Sequence, residues 1–280
     1  MQVNAASGTD LAVVLEVDGE SLLNRLEAGR HRATNCRLDH PDKSVLPDSW
    51  RVGWEDVASS EAIENADWIG PRLHPFAAYD VGSVVPTEFA AYARILHPAF
   101  TREKEVRWAE VARWSGTVIH PEVQFHALWP TPVPDELGTE PFVYPPANGV
   151  LTESQVRVLA DLLSRHTNTP SECWFCLWVG YGYFESKQVA RRVIPNPQRS
   201  YFLFRGSTDE AAGWQDGPNI WWPDDRTWCV ASEIDLPYTY VGGSKELIEE
   251  ILEGPGLEAV PSDVSDGITY DSDKVNAPTR

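Results

Sequence analysis

The chain has 280 residues, of which 42% are hydrophobic and 23% are charged, and its formal net charge at pH 7 is −19. This composition is typical of a globular protein long enough to bury a substantial core. No segment approaches the roughly 18 consecutive apolar residues that a membrane-spanning helix needs, so we expect no membrane segment. The negative charge argues against nucleic-acid binding, because most of that affinity comes from basic side chains that neutralise phosphates.

The N-terminus does not have the pattern of a signal peptide. No basic residue precedes the apolar run 11–17, Glu16 interrupts that run, and no small-residue cleavage site follows it. The cysteines are too sparse for a disulfide scaffold; they are Cys36, Cys173, Cys176 and Cys229. We therefore expect a cytoplasmic protein whose cysteines are thiols.

In the first half of the chain, apolar runs predict a buried strand at 11–17 and a second strand at 92–96. Apolar patterns of helical period, each followed by a glycine, predict short helices at 22–26 and 108–112. The proline-rich stretch 130–146 must be extended or turned, because proline removes a backbone donor and fixes its own φ. It is a possible point of subdivision.

The signals are clearer after the prolines. Thr152 and Gln155 form a capping box, in which each side chain accepts a hydrogen bond from the other residue's backbone amide, so a helix begins there. Runs rich in aromatic and β-branched residues predict strands at 174–179, 201–204 and 228–234. Ser244 is placed to cap a last helix that ends at Gly254.

Strands followed by a helix, without regular βαβ alternation, predict an α+β fold with a mainly antiparallel sheet and flanking helices. We expect a single large domain over residues 10–270. The small, polar residues 1–9 are expected to be disordered, and residues 271–280 are expected to form a flexible tail.

The motifs of common enzyme classes are missing from the sequence. There is no nucleophile elbow, phosphate-binding loop, dinucleotide fingerprint or zincin motif. Cys173 and Cys176 have metal-ligand spacing, but residues three apart in a strand point to opposite faces, so we interpret them as unrelated buried thiols. We predict no metal and no cofactor, and the sequence leaves open whether the chain is an enzyme.

Tryptophan is unusually frequent, with twelve residues in the chain. Six of these lie within 55 positions: Trp174, Trp178, Trp214, Trp221, Trp222 and Trp228. Such density is compatible with a bulky aromatic core, but it also suits a ligand pocket or a protein-binding surface, because indoles offer large area with few rotatable bonds. The aromatic candidates for ligand binding are Trp174, Trp178, Tyr181, Trp221, Trp222, Trp228 and Tyr240.

A second candidate site precedes the last helix. Gly242 and Gly243 allow left-handed backbone and Ser244 opens the helix, so free amides there could bind an anion. Arg205 and Asp225 are candidate partners at this site. The alternatives are that Ser244 is an ordinary cap and that the arginines 191, 192, 199 and 205 pair with the acidic C-terminal third. Residues 207–280 carry 16 Asp and Glu against four Lys and Arg.

Four stretches of the sequence, at 84–98, 173–175, 225–235 and 239–244, resemble a family of conserved uncharacterised proteins from actinobacteria. The resemblance covers most of residues 80–275, and the ratio of 18 Arg to five Lys suits a GC-rich genome. The family has no assigned activity. The resemblance therefore implies one domain and carries over no catalytic residue or substrate.

Two functional hypotheses follow from the sequence. The first is an intracellular protein-binding module of the immunity or regulatory type, which uses a Trp-rich surface. The second is a small-anion-binding protein or enzyme, whose site lies where Gly242, Gly243 and Ser244 meet nearby arginines and carboxylates.

Overall fold

The computed structural model describes residues 16–17, 20–21, 63–129, 138–181, 192–196, 199–213 and 217–276. The chain divides into two units, Met1–Val45 and Leu46–Arg280. In the first unit, strands β1 (Glu16–Val17) and β2 (Glu20–Ser21) form an antiparallel pair. The rest of the predicted strand 11–17 and the predicted helix 22–26 lie outside the described residues.

The second unit is built on an antiparallel sheet of eight strands in the described part of the chain. These strands are β3 (Ala91–Leu96), β6 (Cys173–Trp178), β7 (Arg192–Asn196), β8 (Arg199–Gly206), β9 (Ile220–Pro223), β10 (Cys229–Ala231), β11 (Tyr238–Gly243) and β12 (Ala259–Ser262). Their order across the sheet is β12-β3-β11-β10-β9-β6-β8-β7. A separate hairpin joins β4 (Ala99–Phe100) to β5 (Glu105–Val106).

Both edges of the large sheet contain proline, with Pro261 in β12 and Pro195 in β7. A proline has no amide hydrogen to donate, so it interrupts the row of hydrogen bonds that a further strand would use. The edges therefore resist extension of the sheet by another strand.

Helices pack on both faces of this sheet. The described α-helices are α1 (Trp108–Ser115), α2 (Phe125–Leu128), α3 (Glu153–Arg165) and α4 (Lys245–Glu253). The described 3-10 turns are Ile63–Ala66, Gly70–Arg72, Phe76–Ala78, Val81–Ser83, Val179–Tyr181 and Thr208–Gly213. The predicted α+β, mainly antiparallel fold is confirmed.

The helix boundaries follow the capping residues in the sequence. The Thr152–Gln155 capping box at the start of α3 is present in both directions. Ser244 caps α4, since its hydroxyl accepts a hydrogen bond from the Leu247 amide at 3.2 Å. Gly116 ends α1 with φ 73°, a left-handed conformation that glycine adopts without steric cost.

Two hydrophobic cores lie on opposite faces of the sheet. On the α3/α4 face the core includes Leu159, Leu163, Phe175, Trp221, Trp228, Leu247 and Ile251. On the α1/α2 face it includes Trp68, Val81, Trp108, Leu128, Trp174, Trp222 and Tyr240. Because side chains alternate along a strand, the two faces use alternate residues of each central strand.

The predicted strands are largely confirmed, with shifted ends. The predicted strand 228–234 is wrong beyond Ala231, because the Leu236 amide bonds the Glu233 carbonyl at 3.0 Å and turns the chain towards β11. The proline-rich stretch is described only from residue 138, and residues 138–146 contain no helix or strand. Of the predicted tail, residues 271–276 are described and hydrogen-bonded, and Asp273 is 4% exposed.

Candidate functional site

Most of the aromatic residues selected from the sequence are buried in the core. Trp174, Trp221, Trp222, Trp228 and Tyr240 are between 0% and 4% exposed. They belong to both faces of the sheet, and each face is covered by helices or by the segment 63–129. The hypothesis that these five rings form a binding surface is therefore corrected: they fill the interior. Trp214 lies outside the described residues.

Trp178 and Tyr181 are the selected aromatics that stay half-exposed. Trp178 and Trp174 lie on the same face of the sheet, the α1/α2 face, as residues four apart in one strand do. Asn219 connects the pair, because its Oδ1 accepts from the Trp178 amide at 2.8 Å and its Nδ2 donates to the Tyr181 hydroxyl at 3.1 Å. The guanidinium of Arg199 lies 5.6 Å from the Trp178 ring. These contacts hold Trp178 and Tyr181 at the C-terminal end of β6.

Arg199 pairs with carboxylates of the acidic C-terminal third, as the alternative interpretation held, whereas Arg205 pairs with Glu172, which lies before that third. Arg199 bonds Glu233 at 2.7 Å and Asp235 at 2.5 Å. Arg205 bonds Glu172 at 3.4 Å. Arg191 and the side chain of Arg192 lie outside the described part of the chain.

The predicted anion site at Gly242, Gly243 and Ser244 is not formed as a loop. Both glycines lie inside β11 and pair with β3. The start of α4 already has acceptors from the chain, because Ser244 caps it and the Glu246 carboxyl accepts its own backbone amide, which lowers the pKa of Glu246. The observed role of Ser244 is that of an ordinary cap.

Asp225, the other selected polar residue, fastens a turn. Its carboxylate accepts hydrogen bonds from the Thr167 hydroxyl, the Asn168 amide and Thr227. Partial burial raises the pKa of Asp225, but these hydrogen bonds outweigh burial and the net shift is downward. The selected residues lie on both faces of the sheet, and the structure brings some of them together: Trp221 packs on Trp228, Trp178 packs on Tyr181, and Arg205 lies 5.4 Å from the Trp174 ring.

A buried chain of hydrogen bonds lies at the end of β3. The His97 ring bonds the Ala147 carbonyl through Nδ1 at 2.8 Å and the Thr239 hydroxyl through Nε2 at 2.9 Å. Because a carbonyl only accepts, Nδ1 carries the proton and Nε2 accepts from Thr239. The Ser232 hydroxyl, 2.7 Å from Thr239 Oγ1, then donates to Thr239. Burial lowers the pKa of His97 to about 4, so the ring is neutral at pH 7.

A different set of residues presents apolar side chains to solvent. The large hydrophobic residues that are exposed in the described part of the chain are Tyr79, Val118, Val143, Tyr144, Tyr270 and Val275. Four of these, at 52% to 71% exposure, lie on or next to the C-terminal segment 267–276. We call this segment the strap, and we call Tyr79, Val118, Tyr270 and Val275 the strap surface.

Hydrogen bonds connect the strap to the two segments that carry Tyr79 and Val118. The Ile268 amide donates to the Tyr79 carbonyl at 3.0 Å. The Asn276 side chain accepts from the Val118 amide at 2.9 Å and donates to the Val118 carbonyl at 2.8 Å. The four residues of the strap surface are thus on chain segments that are directly bonded to each other.

The buried carboxylate of Asp273 fixes the middle of the strap. It accepts from His120 Nε2 at 2.9 Å, from the Gln124 amide at 3.2 Å and from the Asn276 amide at 2.8 Å. Burial raises the pKa of Asp273, but these donors outweigh burial and lower it overall. The carboxylate therefore stays ionised while it holds three parts of the chain together.

Arg94 in β3 supports the loop beneath the strap. Its fully buried guanidinium donates to the Pro121 and Val123 carbonyls, each at 2.6 Å, and lies 3.5 Å from the Tyr238 ring. The Tyr238 hydroxyl in turn donates to the Ile268 carbonyl at 3.1 Å. Polar groups from the sheet thus hold both the loop and the strap.

Two rings of this region have unusual settings. Tyr79 has φ 51°, a left-handed conformation that is strained for a tyrosine. Tyr270 stacks on His126 with 3.4 Å between the ring centroids and 8° between the planes. Burial lowers the pKa of His126 even though Asp273 and Asp271 oppose that shift, so the stack involves a neutral imidazole at pH 7.

Sequence reasoning did not identify the strap surface. Its residues have no periodicity, and the polar, acidic composition of residues 263–276 indicated a tail. The one feature of the sequence that could have indicated this surface is Tyr270, an aromatic residue within a polar segment.

Comparison of the chain with protein-family models, curated proteins and solved structures finds no match. The resemblance to an actinobacterial family stays a prediction. In the described part of the chain, no helix is long and apolar enough to cross a membrane, and no group of three or more His, Cys, Asp or Glu is placed to hold a metal ion.

Proposed function

We propose that this protein binds a partner protein through the strap surface, and that the partner contributes a basic segment. The carrying observation is that four of the six exposed large hydrophobic residues of the described chain lie on segments bonded to one another. Scattered apolar residues are normal on a protein surface, whereas a concentration of them indicates a binding site.

Tyrosine suits such a contact. A tyrosine ring buries a large area with few rotatable bonds and keeps a hydroxyl for hydrogen bonding, which is why tyrosine is enriched among the residues that dominate binding energy. Tyr270, at 71%, is the most exposed large hydrophobic residue in the described part of the chain, and its stacking on His126 holds the ring in place. Less side-chain entropy is then lost on binding.

The hydrogen bonds of the strap also support the proposal. Asp273, Tyr238 and Asn276 tie the strap to two neighbouring segments, so the contact surface is preorganised before a partner arrives. The strained backbone of Tyr79 also supports a functional role for this surface, because such strain is typical of functional positions.

The charge around the strap determines the kind of partner. Residues 258–276 contain five Asp and Glu against Lys274, and Asp263 and Asp271 are exposed. The whole chain has a net charge of −19. A basic partner would be attracted to this surface at long range, and increasing salt should slow its association.

We place this activity in the cytoplasm. Three of the four cysteines, Cys173, Cys176 and Cys229, are buried free thiols, which suits a reducing compartment. The regulatory or immunity role stays part of the same proposal. The buried chain from Ser232 to His97 does not favour an enzyme, because a histidine with a pKa of about 4 is a weak general base at pH 7.

Site-specific photo-crosslinking in the source cells tests the proposal. A benzoylphenylalanine residue replaces Tyr270 in one variant and Tyr144 in a matched control. Tyr144 is also an exposed tyrosine, at 39%, but it is bonded to Phe100 rather than to the strap.

We expect the Tyr270 variant to capture a defined basic protein whose yield falls with added salt, and we expect no such product from the Tyr144 variant. The captured protein, once purified, should bind the wild-type chain directly and bind Tyr270→Ala at least roughly tenfold more weakly. Equal capture at both positions, or no product at Tyr270, would contradict the proposal.

A further inference from the structure

A second feature, on the α1/α2 face near β9, is a tryptophan whose polar atom has no partner among the described residues. Trp68 is 8% exposed, and none of the described residues accepts a hydrogen bond from its buried indole Nε1. Buried donors in native proteins are nearly always paired, and an unpaired one indicates strain or a missing ligand. The neighbouring Trp174 shows the usual solution, because its Nε1 donates to the carboxylate of Asp224 at 3.0 Å.

Two arginines lie beside the Trp68 ring. The guanidinium carbon of Arg72 is 5.8 Å from the ring centroid and that of Arg226 is 5.4 Å from it. Arg72 is already engaged, since it pairs with Glu88 and donates to the Trp68 carbonyl. Among the described residues, no carboxylate lies within ion-pair distance of Arg226. One exposed guanidinium that pairs with no described carboxylate therefore lies over the Trp68 ring.

The backbone at Arg226 is strained in the conformation that brings its side chain to Trp68. Arg226 has φ 56°, in the left-handed region that favours glycine. The turn is fixed on both sides of it, because the Arg226 amide donates to the Pro223 carbonyl at 2.9 Å and Asp225 accepts from Thr227. A glycine or asparagine would fit this turn with less strain.

We propose that Trp68 and Arg226, with Arg72 adjacent, bind a small oxyanion, that is, the carboxylate or phosphate group of a ligand. The buried indole N–H is a donor that requires an acceptor, the exposed guanidinium supplies positive charge beside it, and charge-assisted hydrogen bonds from arginine to such oxygens are among the strongest in proteins. This site is distinct from the strap surface and from the start of α4. It moves the anion-binding hypothesis to a different part of the fold.

The test follows the indole N–H of Trp68 directly. Protein labelled with ¹⁵N is titrated with sodium acetate and, separately, with inorganic phosphate, and sodium chloride of equal ionic strength is the reference. The Trp68 signal is assigned by its absence from the Trp68→Phe variant. We expect a saturable shift of this signal with acetate, phosphate or both, and the stronger of the two identifies the group that the site prefers.

Arg226→Gly is the decisive variant because glycine adopts φ 56° without strain, so the variant should fold and melt at or above the wild-type temperature. We expect its affinity for the anion to be at least roughly tenfold lower. Arg205→Gln is the matched control, since Arg205 lies 5.4 Å from the Trp174 ring and already pairs with Glu172; its affinity should equal that of wild type. The absence of a saturable shift with either anion, or an unchanged affinity in Arg226→Gly, would overturn the proposal.

Discussion

The titration of His97 should make the stability of this protein depend on pH in a way that one substitution can remove. In the folded state the ring is fully buried, donates from Nδ1 to Ala147 and accepts at Nε2 from Thr239. A second proton on Nε2 would place a charge in the core and break the bond from Thr239. Burial accordingly lowers the pKa of His97 from 6.5 to about 4.

The sign and size of the effect follow from this difference. Below pH 6.5 the unfolded chain takes up a proton at His97 that the folded chain does not, so the free energy of unfolding falls with decreasing pH until the folded pKa of about 4 is reached. At about 1.4 kcal/mol per pKa unit, His97 contributes about 3 kcal/mol at pH 7, and this contribution is lost between pH 6.5 and pH 4.

Urea unfolding at a series of pH values between 7 and 4 measures the effect. His97→Asn keeps a donor for Ala147 but cannot titrate, so its free energy of unfolding should lack the loss of about 3 kcal/mol that wild type shows between pH 6.5 and pH 4. His166→Gln keeps His97 and should retain the pH-dependent loss that His97 causes. Parallel curves for wild type and His97→Asn would refute the reasoning.

Three further predictions concern the packing of the sheet. Arg94→Met should lower the free energy of unfolding by about 2 to 3 kcal/mol in urea titrations, because the Pro121 carbonyl and the buried Val123 carbonyl lose their donor. Gly242→Ala should cost about 1 to 3 kcal/mol, since its Cβ would lie 2.4 Å from the Phe89 ring, whereas Gly213→Ala has no neighbour within 4 Å and should melt close to wild type. Burial raises the pKa of Cys173 to about 12, so mass spectrometry should show iodoacetamide labelling of this thiol at pH 8 only after unfolding.

The elements with local signals could be predicted from the sequence. The Thr152–Gln155 capping box and the Ser244 cap depend on contacts within four residues, and both helices begin where those residues indicate. The opposite orientation of Cys173 and Cys176 follows from strand geometry alone, and the structure places these thiols in different cores.

The candidate sites could not be predicted, because they depend on contacts far apart in sequence. Whether Trp222 is exposed is decided by Trp68, which lies 5.9 Å from it although it is more than 150 positions away in the chain. Gly242 suggests left-handed backbone at an anion site, yet β3 supplies a strand partner for it. The ring of Tyr270 is held by stacking on His126, and no local sequence pattern indicates that these two residues are in contact.

Hydrogen–deuterium exchange of this protein with its purified partner tests the central claim most directly. If the strap surface is the docking site, amides in residues 267–276 and in the bonded segment around Val118 should exchange more slowly in the complex than in the protein alone, and the rest of the sheet should change little. Protection confined to another part of the chain, with no change in the strap, would contradict the account.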